Sequence, residues 1–106
     1  MADALTHAEI SAVLRVEPTD GRLYWRVGGR ATRLGALAGS RTHQGYIEVA
    51  FAGHKMQAHR VVWLLTTGAW PTKALDHRNG IRSDNRFTNL RECNDSQNQG
   101  NRRHRP

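Results

Sequence analysis

The longest uninterrupted apolar run in this 106-residue chain is Val61-Val62-Trp63-Leu64-Leu65. A bilayer span needs about 20 such residues, so the run can serve one small interior and cannot cross a membrane. A chain of this length supports one small domain with one modest core, and a second independent domain would be hard to stabilise. Cys93 is the single cysteine, which excludes an intrachain disulfide and a Cys-rich zinc framework. The opening Met1-Ala2-Asp3-Ala4-Leu5 lacks a basic stretch followed by an apolar one and does not read as a signal peptide. The expectation is a reducing, intracellular compartment.

Local patterns place the elements. Thr6-His7-Ala8-Glu9 has the form of a capping box, with Ile10, Val13 and Leu14 at helical spacing behind it, so a helix is predicted from about Ala8 to Arg15. Leu23 to Val27 has strand composition, and a short strand is expected near Ala36. Ile47, Val49 and Phe51 alternate with Tyr46, Glu48 and Ala50. A turn at Ala52-Gly53-His54 then returns the chain as a second strand from Lys55 to Ala58. His59 to Thr67 forms a helix with a broad apolar face, ended by Gly68 with Pro71 just beyond. Strands are expected over Ala74–His77 and Asn89–Cys93, and a last helix near Asp95, capped by Asn94 with Gln97 as its box partner.

Charge gives the first functional hint. The net charge is +7, and fourteen of the sixteen basic residues are arginine. Arginine meets phosphate with a planar fork, where lysine is only a point charge. From His77 onward seven arginines face three acidic residues, a local net charge of +4. A nucleic-acid partner fits this distribution, although arginine can also simply keep a small domain soluble.

The chemistry concentrates in the same stretch. Asp76 and His77 end one strand, Asn89 opens the next, and Asn98 falls on the first turns of the last helix. A helix packed across the two-stranded hairpin would bring Asn98 opposite Asp76. Two hard oxygen donors of this kind suit Mg²⁺ or Mn²⁺, with water and substrate phosphate completing the coordination. Closed zinc sites prefer thiolate and imidazole. An imidazole exchanges protons near neutral pH, which qualifies His77 to activate water. Neighbouring side chains on a regular strand face opposite ways, so the strand must bend or end at His77 for both residues to serve one site. Asn89 suits hydrogen bonding that fixes the connecting loop. Arg78, Arg82, Arg86 and Arg91 lie close enough in sequence to contact phosphate. Asn85 competes with Asn89, and Asn101 and His104 with Asn98; all three rank lower. His59 reads as a capping or packing residue, and Trp25, Trp63 and Trp70 as core and rim.

The segment from about His59 to Arg102 resembles the HNH nucleases in their phage and intron-homing form. The pieces that match are His59-Arg60-Val61-Val62-Trp63, Asp76-His77-Arg78-Asn79-Gly80, Asp84-Asn85-Arg86, Asn89-Leu90-Arg91-Glu92 and Ser96-Gln97-Asn98. Gly21-Arg22-Leu23-Tyr24-Trp25, Ala38-Gly39 and Gly45-Tyr46 resemble the lead-in of such proteins. The resemblance implies an α+β chain, an N-terminal helix and small antiparallel β region followed by a C-terminal ββα-metal module. It implies one domain over 1–106, divided near residue 58 and with a basic tail from 103. It also implies metal-dependent DNA endonuclease activity leaving 5′-phosphate and 3′-hydroxyl ends. On this resemblance His77 is the general base, Asn89 the structural asparagine, and Asp76 a metal ligand. Asn98 stands where a second histidine often occurs, which likens the chain to the H-N-N variant. The implied partner is DNA, double-stranded in the first instance. The oligomeric state is open, a homodimer included. A catalytically inactive DNA-binding module and an RNA-directed nuclease are the alternatives.

Overall fold

The computed structural model describes residues 5–29 and 32–93. The predicted last helix and its caps, with Asn98, Asn101 and His104, lie outside the described residues. Helix α1 spans His7–Val13, and the capping box at its start is complete: the Thr6 hydroxyl accepts from Glu9 N at 3.1 Å, and Glu9 Oε1 accepts from Thr6 N at 2.8 Å. The helix is shorter than its apolar spacing suggests. Leu14–Val16 leaves it as strand β1 and pairs antiparallel with β2, Leu23–Trp25, in the register Leu14↔Trp25. Leu14 stands four residues after Ile10, which reads as one helical face, but cross-strand pairing decides its conformation.

A second sheet follows. Strand β3 (Ser40–Arg41) pairs with β4 (Ile47–Phe51), and β4 pairs with β5 (His54–Gln57). The strand expected near Ala36 is instead an isolated bridge between Tyr24 and Leu37. Ala52 and Gly53 link β4 to β5 with positive φ at both positions, the conformation of a tight two-residue hairpin.

Helix α2, Ala58–Thr67, is the centre of the molecule, packing against α1, β1, β4 and β5. Ala58, Val61, Val62 and Leu64 are buried along it and meet Ile10, Leu14, Leu23 and Val49 from the other elements. Each such Val or Leu contributes about 1.5–3 kcal/mol by leaving water. Gly68 ends the helix in the left-handed conformation (φ 92°), and its N–H donates to Leu64 O at 2.8 Å. Strands β6 (Ala74–His77) and β7 (Leu90–Cys93) then form a separate antiparallel hairpin. A single 3₁₀ turn over Phe87–Asn89 leads into β7 and rests on α2. Asn89 therefore closes this turn, and the strand opens on Leu90. Trp25 is buried, and Trp63 and Trp70 are partly buried against the same core.

Candidate active site

The β6–β7 ladder runs Asp76↔Arg91 and His77↔Leu90, and Arg78 N donates to Asn89 O at 2.8 Å to close it. His77 is thus the last residue of its strand. Alternation sends its side chain and that of Asp76 to opposite faces, and their partners differ accordingly. Asp76 Oδ2 accepts from Arg91 Nη2 at 3.0 Å across the hairpin. His77, only 7% exposed, turns inward. What the two residues share is the end of the hairpin.

The loop from Arg78 to Asn89 is pinned by asparagines. Asn89 Nδ2 donates to Asn79 Oδ1 at 3.0 Å and to Asp84 O at 2.8 Å, while its Oδ1 accepts from Asn79 N at 3.1 Å. Asn79 Oδ1 also accepts from Ile81 N at 2.9 Å, and Gly80 N donates to His77 O at 2.9 Å. Asn89 is buried, so losing its amide leaves loop groups without partners. We expect Asn89→Ala to cost about 2–3 kcal/mol, read from denaturant melts.

Asp84 holds the outer part of the loop. It accepts from Arg86 Nε at 2.8 Å, Arg86 Nη2 at 2.7 Å and Asn79 Nδ2 at 2.8 Å. The hydrogen bonds from Arg86 are the main reason that its pKa falls from 3.8 to about 2. A depressed carboxylate stabilises the fold above its unfolded pKa and loses that contribution as pH falls through the folded one. The melting temperature of Asp84→Asn should therefore lie below wild type at pH 6. The gap should close between about pH 4 and pH 2.

Around His77 the structure assembles residues that the sequence pattern ranked low. Nε2 of His77 lies 2.8 Å from Asn85 Oδ1, and Asn85 is 3% exposed. With that oxygen accepting, Nε2 carries the proton and Nδ1 keeps the lone pair. The His59 ring meets the His77 ring edge-on at 5.0 Å between centroids, and Tyr46 lies 5.8 Å from His59 and 6.1 Å from His77. His59 is not the cap of α2; that position belongs to Gln57. Its place three residues before the buried Val62 was the available signal, because that spacing puts it on the inner face. Burial, then the neighbouring His77 and Arg60, lower the His59 pKa to about 4.

Asn85 is placed by the N-terminal region. Gly21, in the turn between β1 and β2, has φ +73°, and a Cβ there would sit 2.1 Å from the Asn85 carbonyl carbon. Two further ties join the site loop to the β3–β4 turn. Arg82 Nη1 donates to Gln44 O at 2.7 Å with its guanidinium 4.9 Å over the Tyr46 ring, and Arg41 Nη2 donates to Ser83 Oγ at 3.2 Å. Of the four arginines singled out from sequence, Arg86 and Arg91 are ion-paired within the chain, Arg82 supports Tyr46, and Arg78 is exposed.

Residues 56–100 match the family model described as HNH endonuclease. No curated protein matches the chain. A solved structure of the HNH homing endonuclease I-HmuI, which concerns DNA binding and cleavage by that enzyme, superposes with a TM-score of 0.68 at 22% identity. The match covers 93% of this chain and 56% of that one, so the chain spans little more than half of its length. The α+β fold is shared over that 93% of the chain. Over residues 56–100 the chain is thus similar to the HNH endonucleases, and it shares the fold of one solved HNH homing endonuclease.

Proposed function

We propose that the chain is a divalent-cation-dependent DNA endonuclease that hydrolyses phosphodiester bonds with His77 as general base. The observation that carries this reading is the buried hydrogen bond from His77 Nε2 to Asn85. It fixes the tautomer in which Nδ1 can take a proton from water. The same bond satisfies a buried ring nitrogen, and it holds the ring on a loop that Asn89 pins. Asn89 keeps the loop in shape through its three hydrogen bonds.

The donors suit a hard cation. A carboxylate with a neutral carboxamide, completed by water and phosphate, fits Mg²⁺ or Mn²⁺. Asp76 would hold the ion, with Asn98 from outside the described residues as second ligand. Such an ion would supply Lewis-acid stabilisation of charge on the scissile phosphate. Arg78 and Arg82 would contact the DNA backbone; Arg86 and Arg91 are neutralised by Asp84 and Asp76 and would reach phosphate only by exchanging those partners. No helix among the described residues is long and apolar enough to cross a membrane.

The test of substrate class is cleavage of end-labelled DNA and RNA duplexes of one sequence in Mg²⁺ and in Mn²⁺. We expect DNA to be cut and RNA to be spared. Cleavage of RNA alone would replace DNA as the substrate, and DNA binding without turnover would identify the inactive module.

A further inference from the structure

We propose that His59 is a positioning residue for His77, acting through ring packing rather than through a hydrogen bond. The inference rests on the reading of His77 as the general base. Three groups confine the His77 ring. The Asn85 amide fixes Nε2 at 2.8 Å, and the rings of His59 and Tyr46 stand at centroid distances of 5.0 and 6.1 Å. A hydrogen bond to one nitrogen leaves the ring free to tilt about that bond. A neighbouring ring in edge-to-face contact removes the tilt, because aromatic pairs prefer offset or T-shaped arrangements. The interplanar angle between His59 and His77 is 68°, within that preference.

His59 is built to be a rigid wall. It sits in the first turn of α2, between the buried Ala58 and Val61, and is itself only 8% exposed. Its Nδ1 is buried and has no hydrogen-bond partner among the described residues, so that nitrogen makes no polar link to the site. Its low pKa keeps the ring neutral at neutral pH, so no second positive charge stands beside His77. Tyr46 completes the wall, with Arg82 stacked over it and tied to Gln44 O. The catalytic geometry thereby draws on α2 and the β3–β4 turn as well as on the hairpin that carries His77. A displacement of about 1 Å in a reacting group can cost about a hundredfold in rate.

The experiment compares His59→Ala and His59→Phe with wild type and His77→Ala in Mg²⁺-dependent plasmid cleavage. Melting temperatures are recorded, along with the ¹⁵N shifts of the His77 ring. We expect His59→Ala to lower kcat by about 10- to 100-fold with KM within about twofold. With the ring free to tilt, its bond to Asn85 should weaken, and the His77 Nε2 shift should leave the wild-type value. His59→Phe keeps a flat ring and should recover most of kcat together with the wild-type shifts. A folded His59→Ala with unchanged kcat and unchanged shifts would overturn the proposal, as would a folded His59→Phe as impaired as Ala. Full activity of folded His77→Ala would instead overturn the reading of the site itself.

Discussion

Replacing His77 with alanine should lower DNA cleavage by about 10²- to 10⁴-fold, the usual contribution of a positioned general base, while leaving a folded protein that still binds DNA. Binding should survive because the arginines that give the chain its positive field remain in place. Folding should survive at some cost in stability, because the imidazole makes only one of the loop's ties, the bond to Asn85. Asn89, Asn79 and Asp84 tie it to itself, and Gly80 N bonds to the His77 backbone carbonyl, which alanine retains. The measurement is a single-turnover nicking assay, paired with circular dichroism and a DNA-binding titration. A folded variant that cuts at the wild-type rate would remove His77 from the mechanism.

The second large effect is expected far from His77 in sequence. Gly21→Ala should destabilise the protein by about 2–4 kcal/mol and should disturb the site even where the fold persists. A left-handed φ is costly for alanine in any surroundings. Here the new Cβ would also fall 2.1 to 2.4 Å from backbone atoms of Asn85 and Arg86. Backbone cannot swing aside as a flexible side chain can, so either the β1–β2 turn or the site loop must move. Movement of the loop takes Asn85 away from His77 Nε2. Thermal melts should show the loss of stability, and cleavage by the remaining folded fraction should fall more than its population does. Gly35 provides the comparison: it too has positive φ (+81°), but nothing lies within 4 Å of a Cβ there. Gly35→Ala should bear the conformational cost alone, about 1 kcal/mol, and leave cleavage intact.

These two residues mark where sequence reasoning succeeds and where it stops. The capping box at Thr6, the alternation through Ile47–Phe51, the stop at Gly68 and strand β6 depend on neighbours within a few residues, and each was legible. Strand β1 was not, because Leu14–Val16 is held by pairing with Leu23–Trp25 rather than by local preference. Asp76, His77 and Asn89 could be singled out as polar side chains at a telling spacing, and the structure sets all three at one end of a hairpin. Asn85 looked like an ordinary loop asparagine beside Asp84. Its burial depends on Gly21, sixty-four residues earlier, and its partner is visible only once β6 and the loop have folded together. His59 and Tyr46 were obscured in the same way: ring contacts between a helix, a hairpin turn and a strand end leave no local pattern. The arginines were legible as charge but not as contacts. Arg86 and Arg91 turn out to be drawn onto Asp84 and Asp76, and Arg82 onto Tyr46.

The division of labour that emerges is specific. Asn89 shapes the loop, Asn85 sets the tautomer of His77, and the aromatic wall fixes the plane of its ring. Asp76 remains at the hairpin end, paired with Arg91. An incoming cation would compete with that guanidinium for the carboxylate. The central claim is that this arrangement hydrolyses DNA with the help of a divalent ion. The most direct test incubates the purified chain with supercoiled plasmid in Mg²⁺ and in excess chelator, following conversion to nicked or linear DNA. Cleavage in Mg²⁺ that stops on chelation and returns when the metal is restored is the predicted result. Plasmid that is bound but stays intact in both Mg²⁺ and Mn²⁺, or is cut equally well in chelator, would contradict it.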